Sequence, residues 1–539
     1  MIQPEHLPGV RFPYLKFHPT LAPALSSRLS TEVQTELLAR YRQRYYVLSG
    51  SLYKEDSKNP HFTRAIAHRE LPNLLYAVHG ALDAGEEWAV EFVGKVNKFL
   101  NNFGRNRDRT LLSQRVAQLT GEVRSQTWYL SRINLGEQLF DARRYQEAAR
   151  VFGEILAGLG EQASYHRCVT LCRLGWCLRV QGQASQAAEL FRQGLAEAYQ
   201  LEQSDDVKQL MGTLQGNLAD ALTDMGDYSD ARIAYQASLA IAKELENFRG
   251  AAVSNGQLGT LALLQGNLAE AEQRYHEALT TFQQLHEPAM EAVAWHQLGM
   301  VYQEAKQWDA AENAYRQAAQ ISEFQRNLAG AAGTWHQLAL VHEYAGKPEE
   351  AEAWYCKAIK GAKATGDNLG VSKRLNNLAY LLENQPHRLI EAQQFAEEAL
   401  AIKKTLDPSA AQIWITHNIL ANIADKQGDT SQAKEYRRLS RQAKAAFAGT
   451  QYELRKYGRL IVDVVAAVDD TEVRQQLKAA MEELVKNGWH NLVAAIHRIL
   501  DGERDEEVLC EPLNYEEAPI IYAILQGIAD PQTLEALLE

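Results

Sequence analysis

Apolar and small residues recur along the middle of the chain at an interval of 40 residues. Between about residues 215 and 400, a leucine that follows an amide and precedes a small residue returns in one register, in Asn217-Leu218-Ala219, Gln257-Leu258-Gly259, Gln297-Leu298-Gly299, Gln337-Leu338-Ala339 and Asn377-Leu378-Ala379. An alanine follows thirteen residues after the leucine, and a tyrosine four residues after that, in the pairs Ala231/Tyr235, Ala271/Tyr275, Ala311/Tyr315 and Ala351/Tyr355. This period predicts a solenoid in which a small residue on one helix faces an aromatic ring on the next.

These positions resemble the tetratricopeptide repeat, a helix-turn-helix unit with the pattern W-x-x-L-G-x-x-Y, then a small residue, then an aromatic. The unit that fits best contains Trp295, Leu298, Gly299, Tyr302, Ala311, Tyr315 and Ala318. The long spacing is similar to the branch found in kinesin light chains and in bacterial regulators. The resemblance implies an all-α fold built around a right-handed superhelical solenoid.

The pattern divides the chain into four regions. Residues 1–29 are predicted to be a wing-like segment with a short strand over Val10–Phe17, and residues 30–124 a helical region that includes a degenerate capping repeat. Residues 125–449 are predicted to hold about eight repeat units, and residues 450–539 an acidic helical bundle. The last region contains 8 basic and 18 acidic side chains.

A second resemblance concerns the N-terminal hundred residues. Phe17-His18-Pro19 with Leu21, and Glu70-Leu71-Pro72-Asn73-Leu74, are similar to the winged-helix region and the following helical element of bacterial STAND (NB-ARC-type) signalling ATPases. In that family the histidine faces a nucleotide phosphate. Here Pro19 replaces the acidic residue after the histidine, and the family's nucleotide-binding domain has no counterpart in this sequence. We therefore favour His18 as a histidine packed at a strand-helix junction.

Composition and charge exclude several classes of function. The 56 basic and 68 acidic side chains give a net charge of -12, which argues against nucleic acid as a partner. The 5 cysteines are scattered without a C-x-x-C pair, so neither a disulfide framework nor a zinc ribbon is expected and a reducing cytoplasm is the predicted location. No stretch approaches 18 apolar residues, so no membrane span is predicted.

Motifs for catalysis, metal binding or cofactor binding are not found. The dipeptide His-Glu occurs at His276, His286 and His342, but no second histidine follows four residues later. Gly94-Lys95 is followed by Val96 and lacks the other elements of a phosphate-binding loop. We expect no catalytic residue, no metal and no cofactor, and predict that the protein is not an enzyme.

A recurring amide is the candidate binding feature. The position before the repeat leucine carries Asn134, Asn217, Gln257, Gln297, Gln337 and Asn377, a row here called the amide ladder, and Arg173 interrupts it. The position one residue earlier adds His296, His336 and Asn376 to the predicted surface, and the two histidines are expected to face solvent without a metal. The tetratricopeptide resemblance implies that these residues line the concave groove, and in the kinesin-light-chain-like branch such a ladder holds peptide backbone.

A primary amide both donates and accepts hydrogen bonds, so it pairs with a peptide group regardless of the side chain. The alternative is that the amides bond to one another and stiffen the stack. We favour the ligand interpretation, because a buried ladder would more easily be apolar.

The sequence therefore predicts a protein-protein interaction scaffold or sensor arm that binds a protein or peptide segment. The alternative is the sensor half of a split STAND-type switch that acts with a separate nucleotide-binding or effector protein. An enzyme with its site in the C-terminal region has no motif to support it.

The missing phosphate-binding loop leads to the first prediction. The purified chain should show no saturable binding of ATP in calorimetric titration, because a phosphate needs several backbone amides and a lysine around it. Micromolar affinity that His18→Ala abolishes would contradict this expectation and favour the switch hypothesis.

Overall fold

The structure is a computed structural model that describes residues 2–5, 14–17, 28–117, 125–406, 411–445, 454, 456–513 and 517–534. The described residues are helical apart from one two-stranded ribbon and the connecting turns, which confirms the predicted all-α repeat architecture. They divide into two compact units, Met1–Ala314 and Tyr315–Glu539, which are treated separately below.

The N-terminal ribbon pairs β1 (Ile2–Glu5) with β2 (Tyr14–Phe17). The strands are antiparallel, with Ile2 opposite Phe17 and Glu5 opposite Tyr14. The predicted strand is thus present over its last four residues. Val10 and His18 lie outside the described residues, and the winged-helix resemblance is not confirmed.

Five helices precede the clear repeats among the residues that the structure describes. They are α1 (Thr31–Glu55), α2 (Pro60–Arg69), α3 (Leu71–Asp83), α4 (Ala89–Asn102) and α5 (Asn106–Ala117). The Ser30 hydroxyl caps α1 by accepting a hydrogen bond from the backbone N–H of Val33. Helices α3, α4 and α5 bury an apolar core that includes Leu74, Phe92 and Leu112.

The Glu70-Leu71-Pro72-Asn73-Leu74 segment is joined to α1 by side-chain hydrogen bonds, and it begins α3. The Glu70 carboxylate accepts hydrogen bonds from the Tyr45 hydroxyl and from Asn73 Nδ2, both at 2.8 Å. The Asn73 side-chain oxygen accepts a bond from the Tyr41 hydroxyl at 3.0 Å. Burial, with the nearby Glu70 carboxylate, raises the pKa of Tyr41 to about 12. In this chain the element therefore serves the packing of two helices.

The repeats of the first unit are helix pairs. Their helices are α6 (Gln126–Asp141), α7 (Tyr145–Leu159), α8 (Tyr165–Val180), α9 (Ala184–Ala198), α10 (Asp205–Asp224), α11 (Tyr228–Glu244), α12 (Phe248–Leu264), α13 (Leu268–Gln284) and α14 (Pro288–Glu304). Helix α15 (Trp308–Phe324) begins in the first unit and ends in the second. Helices α6, α8, α10 and α12 each begin after a short polar residue whose side chain caps the helix. These residues are Ser125, Ser164, Ser204 and Asn247.

Within a pair, a glycine on the first helix lies against a buried aromatic ring of the second. A Cβ atom added to Gly175 would lie 2.6 Å from Cε1 of Phe191, and one added to Gly259 would lie 3.1 Å from the Tyr275 ring. Both rings are almost fully buried. Close approach of the helices therefore depends on the missing side chain, as the repeat pattern predicts.

The second unit continues the repeats with one inserted residue. Its helices are α16 (Leu328–Tyr344), α17 (Pro348–Thr365), α18 (Asn368–Glu383), α19 (Leu389–Lys403), α20 (Ile413–Gln427) and α21 (Thr430–Ala445), and a 3₁₀ turn at Pro386–Arg388 precedes α19. Because of this turn, buried Ala392 and Ala399 correspond to buried Ala351 and Ala358 at an offset of 41.

In the described part of the second unit, five short helices follow the repeats. They are α22 (Gly458–Ala466), α23 (Thr471–Lys486), α24 (His490–Leu500), α25 (Glu506–Cys510) and α26 (Glu517–Ala529), with a 3₁₀ turn at Pro531–Leu534. They share a core that includes Ile461, Ile496 and Ile521. Arg441 on α21 meets Glu506 on α25 at 2.5 Å, so a basic helix of the repeats faces the acidic segment.

The second prediction tests the glycine-aromatic contact. Gly175→Ala should lower the free energy of unfolding by about 1–2 kcal/mol, because overpacking against Phe191 outweighs the better helix propensity of alanine. The matched control is Gly256→Ala, where an added Cβ meets no atom within 4 Å. The control should be neutral or stabilising by up to about 1 kcal/mol. Urea unfolding measures both, and equal effects of the two variants would contradict the packing argument.

Candidate functional site

In the first unit, the N-terminal helices and the first helices of successive repeats enclose a polar cleft, here called the first-unit cleft. It consists of two cavities of about 540 Å³ and about 460 Å³ that share Lys98, Arg173 and Trp176. One wall comes from α1, α2, α4 and α5, with Tyr53, Asp56, Arg64, Lys98, Asn102, Arg109 and Ser113. The other wall comes mainly from α6, α8, α10 and α12, with Asn134, Glu137, Arg173, Gln209, Asn217, Asp220, Arg249 and Gln257.

Three members of the amide ladder line this cleft. Asn217 is half-buried, and its Nδ2 lies 3.2 Å from the Cys172 sulfur. Gln257 is half-buried and has no hydrogen-bond partner among the described residues. Asn134 is buried, and its Nδ2 donates to the Leu130 carbonyl at 2.7 Å. The three amides thus differ in how much hydrogen-bonding capacity remains for a ligand, and Gln257 keeps the most.

Arg173, which interrupts the ladder, also lines the cleft. Its guanidinium pairs with Glu137 at 2.8 Å and lies 5.8 Å from the centre of the Trp176 ring. Its Nε has no hydrogen-bond partner among the described residues. The ladder therefore presents a cation and a flat aromatic surface between the amides of α6 and α10.

The remaining ladder residues lie outside the first-unit cleft. The Gln297 oxygen accepts a long bond of 3.5 Å from the Tyr275 hydroxyl. In the second unit, Gln337 and Asn377 are half-buried, and Asn377 lies beside the Tyr355 hydroxyl. The structure thus places only part of the predicted row in the first-unit cleft.

The position before the ladder differs from expectation. His296 and His336 were expected to face solvent, but both are half-buried, which is the main reason that their pKa values are lowered. The pKa of His336 falls to about 4. Asn376 is 3 % exposed and exchanges two hydrogen bonds with the Thr416 hydroxyl, at 3.0 and 3.1 Å. Asn376 is therefore committed to helix packing, which contradicts its predicted contact with a ligand.

Five ion-paired side chains, here called the charged chain, lie along one side of the cleft. Asp56 binds Lys98 at 3.3 Å and Arg64 at 2.9 Å. Arg64 also binds Glu287 at 3.2 Å, and Glu287 binds Arg249 at 2.9 Å. Both carboxylates have side chains only 4 % exposed. Burial lowers the pKa of Lys98, and the Asp56 carboxylate opposes that effect.

The charged chain forms because Glu287 stands where other repeats carry a helix-capping residue. At the same point of other repeats, Asn247, Asn327 and Asp367 accept a hydrogen bond from the backbone N–H three residues later. Glu287 makes no such bond, and its longer side chain instead reaches Arg64 and Arg249. A departure from the repeat pattern thus marks the place where the N-terminal helices meet the repeats.

Asp220 and Tyr235 form a second buried polar pair in the cleft. The Tyr235 hydroxyl donates to Asp220 at 2.5 Å, and Arg179 binds the same carboxylate at 2.7 Å. Burial raises the pKa of Asp220 and of Tyr235. The tyrosine therefore stays protonated, and its hydroxyl acts as a hydrogen-bond donor.

The nearby thiols of Cys168 and Cys177 are buried, which raises the pKa of each to about 11 and keeps them protonated. In the described part of the chain, no group of three or more His, Cys, Asp or Glu side chains could hold a metal ion. None of the helices described here is long and apolar enough to span a bilayer.

Sequence reasoning missed the N-terminal wall of the cleft. Asp56, Arg64 and Lys98 belong to a region without repeats, and nothing in the local pattern connects them to residue 287. The single available indication was Glu287 itself, which breaks a series of short capping residues spaced by 40.

The third prediction concerns the charged chain. Glu287→Ala should lower the free energy of unfolding by about 2 kcal/mol, because two arginines lose a buried carboxylate. Glu246→Ala is the matched control. The Glu246 carboxylate pairs with Lys58, just after α1, at 3.3 Å, so this pair also joins the N-terminal helices to the repeats, but it is exposed to solvent. That exposed pair should contribute less than about 1 kcal/mol. Hydrogen exchange of α2 should rise only in the Glu287 variant, and unchanged exchange would contradict the role of the chain.

The sequence model described as tetratricopeptide repeat matches residues 210–284, 250–324, 290–364 and 330–405. No curated protein matches the sequence.

Three solved structures are similar. BtubC (BKLC) from P. vanneervenii is 23 % identical, with 44 % of this chain and 92 % of that chain covered and a TM-score of 0.34. A STAND protein with a tetratricopeptide repeat sensor from Pyrococcus horikoshii is 12 % identical, with 79 % and 64 % covered and a TM-score of 0.49. The apo form of the quorum sensor NprR from B. thuringiensis is 15 % identical, with 70 % and 99 % covered and a TM-score of 0.44. The matched windows establish that residues 210–405 carry tetratricopeptide repeats.

Proposed function

We propose that the protein is a non-enzymatic interaction scaffold or sensor arm that binds an extended segment of a partner protein in the first-unit cleft. The observation that carries this proposal is the cleft itself. Side chains from four successive first helices, Asn134, Arg173, Asn217 and Gln257, line it opposite the N-terminal helices. Its wall is polar and mixed in charge.

The chemistry of these side chains favours peptide backbone as the ligand. An amide such as that of Gln257 donates to a carbonyl and accepts from an N–H, so a row of amides pairs with an extended chain without selecting its side chains. Arg173 and Trp176 add a surface for one carboxylate or one planar group. Selectivity for a partner would then come from this surface and from the cations at Lys98 and Arg249.

The related hypothesis is a split switch, in which this chain is the sensor half and a separate nucleotide-binding or effector protein is the other half. Its support is the likeness of Phe17-His18-Pro19 and of Glu70-Leu71-Pro72-Asn73-Leu74 to STAND ATPases. The packing of Glu70 and Asn73 against α1 gives the second element a structural role of its own. The scaffold proposal therefore stands first, and the switch would be one way to use it.

The fourth prediction tests the cleft. Peptides are first selected for binding to the wild-type chain from a random display library. The double variant Asn217→Ala/Gln257→Ala should bind these peptides about 10- to 100-fold more weakly than the wild type does, because two hydrogen bonds of roughly 0.5–1.5 kcal/mol each are lost. Calorimetric titration of synthetic peptides measures the change. The melting temperature should barely move, since neither amide belongs to the apolar core.

The matched control is Gln236→Ala/Gln273→Ala. It removes two exposed amides from the second helices of the same two repeats and should leave peptide affinity unchanged. An Asn217/Gln257 variant that melts much earlier yet keeps its affinity would show that the ladder is structural, and the proposal would fail.

A further inference from the structure

Three pairs of side chains join α2 and the turn before it to the repeats, at one end of the N-terminal wall of the first-unit cleft. These pairs are together called the clasp below. They are Arg64 with Glu287 at 3.2 Å, Lys58 with Glu246 at 3.3 Å, and His61 with His286, whose ring centroids are 5.1 Å apart.

The two ends of the N-terminal wall are attached to the repeats in different ways. Near the start of the repeats, Val116 of α5 belongs to an apolar core against which Leu130 of α6 packs. At the clasp, the apolar residues of the two sides belong to separate clusters, with Ala67 of α2 in one and Phe282 of α13 in another. Apolar burial therefore holds the first end, whereas ion pairs and a ring contact hold the second. The clasp is the end at which the wall can leave the repeats with less loss of apolar contact.

The repeats present their clasp residues from equivalent turns. Glu246, His286 and Arg326 follow one another at a spacing of 40, and each has a positive φ, between 51° and 58°. The next repeat carries Gly366 there, with φ 70°, and glycine adopts this conformation without steric cost. The turn itself therefore requires no side chain. At Glu246 and His286 the side chain instead meets the N-terminal helices.

The two histidines contact each other and no charged partner. Both are exposed, and neither forms a hydrogen bond or an ion pair in the part of the chain that the structure describes. Neutral imidazole rings can pack together in this way. An imidazole gains a proton between about pH 8 and about pH 5, and two imidazolium charges at this separation repel each other.

The charges next to the clasp are engaged with other groups. They include Glu55, Asp56, Lys58, Arg64 and Lys98 on the N-terminal side, and Glu246, Arg249, Glu287 and Glu291 on the repeat side. Each of these carboxylates already accepts a hydrogen bond or an ion pair from another side chain. A protonated histidine pair therefore meets its own repulsion without a carboxylate of its own. Moving the two sides apart removes that repulsion, so the open form binds protons more readily and acid favours it.

We propose that the His61–His286 pair is a pH-sensitive switch that regulates the first-unit cleft. This inference rests on the proposed binding of a partner segment in that cleft. Above about pH 7 the neutral rings keep the N-terminal wall against the repeats, and a bound segment is enclosed on two sides. Below about pH 6 the charged rings separate α2 from the turn before α14, and the segment loses contact with one wall.

The first measurement is the distance between α2 and α13 in the full chain, by double electron-electron resonance. Spin labels are attached at Phe62→Cys and Gln284→Cys, which are exposed positions. Cys356→Ser removes the one native thiol that is not buried. The distance should be short and narrowly distributed at about pH 7.5, and longer or broader at about pH 5.5.

The variant that tests the switch is His61→Gln, which keeps a polar side chain but cannot become charged. It should keep the short distance at both pH values. His276→Gln is the matched control, because it removes an exposed histidine of α13 that lies beside Tyr302 and away from the clasp. The control should respond to pH as the wild type does.

The second measurement is peptide affinity at the same two pH values. The peptides are selected by the wild-type chain from a display library without Asp, Glu or His, so that pH acts on the protein alone. Affinity for the wild type and for His276→Gln should fall about fivefold or more between about pH 7.5 and about pH 5.5, and affinity for His61→Gln should stay within about twofold.

The outcomes separate the switch from the proposed function. A distance that does not change with pH, or that lengthens equally in His61→Gln, would overturn the switch. A longer distance without loss of peptide affinity would overturn its control of the cleft. If no peptide binds in the cleft at either pH, the proposed function fails and control of the cleft fails with it, whereas a distance that still changes only with the histidine pair retains the switch.

Discussion

The contact between a small residue and an aromatic ring, which recurs in most of the repeat helix pairs, governs the rest of this structure. Gly175 meets the Phe191 ring and Gly259 meets the Tyr275 ring at distances that leave no room for a side chain. The contact sets how closely two helices approach, and its repetition gives successive repeats the same spacing. A buried tyrosine ring also carries a hydroxyl group that needs a hydrogen-bond partner, and the Tyr275 hydroxyl forms a hydrogen bond with the Thr260 hydroxyl at 2.9 Å.

This constraint separates the positions of a repeat into two kinds. Those that fill the helix contact stay small on the first helix and, in most repeats, aromatic on the second, because a change there would affect the packing of both helices. Positions outside the contact vary without loss of the fold, and a departure from the repeat pattern at such a position indicates a residue with a separate role. Glu287 departs from a series of capping residues and joins the N-terminal helices to the repeats. Arg374 and Lys403 are buried where other repeats carry small residues such as Thr334 and Ala362.

The N-terminal helices change what the amide ladder can do. A bare row of amides on a solenoid would face solvent, whereas Asn217 and Gln257 lie in a cleft whose other wall carries Asp56, Arg64 and Lys98. A bound segment would be enclosed on two sides, which increases the surface it loses to water and the number of groups that select it. The charged chain through Glu287 makes that wall part of the folded unit. In the proposed function, recognition would therefore depend on both the repeats and the region before them.

The sequence alone determined the helices, their register and the position of the ladder, because each follows from a periodic pattern of apolar, small and polar residues over a few turns. It also indicated from charge where an acidic helical region begins. It did not determine which ladder residues would be available. Asn376 pairs with Thr416, 40 residues away, and Arg64 pairs with Glu287, 223 residues away. Such bonds depend on how distant helices meet, and side-chain burial and long-range pairing leave no periodic trace in a chain. Only the tertiary structure decided that the N-terminal helices complete the cleft.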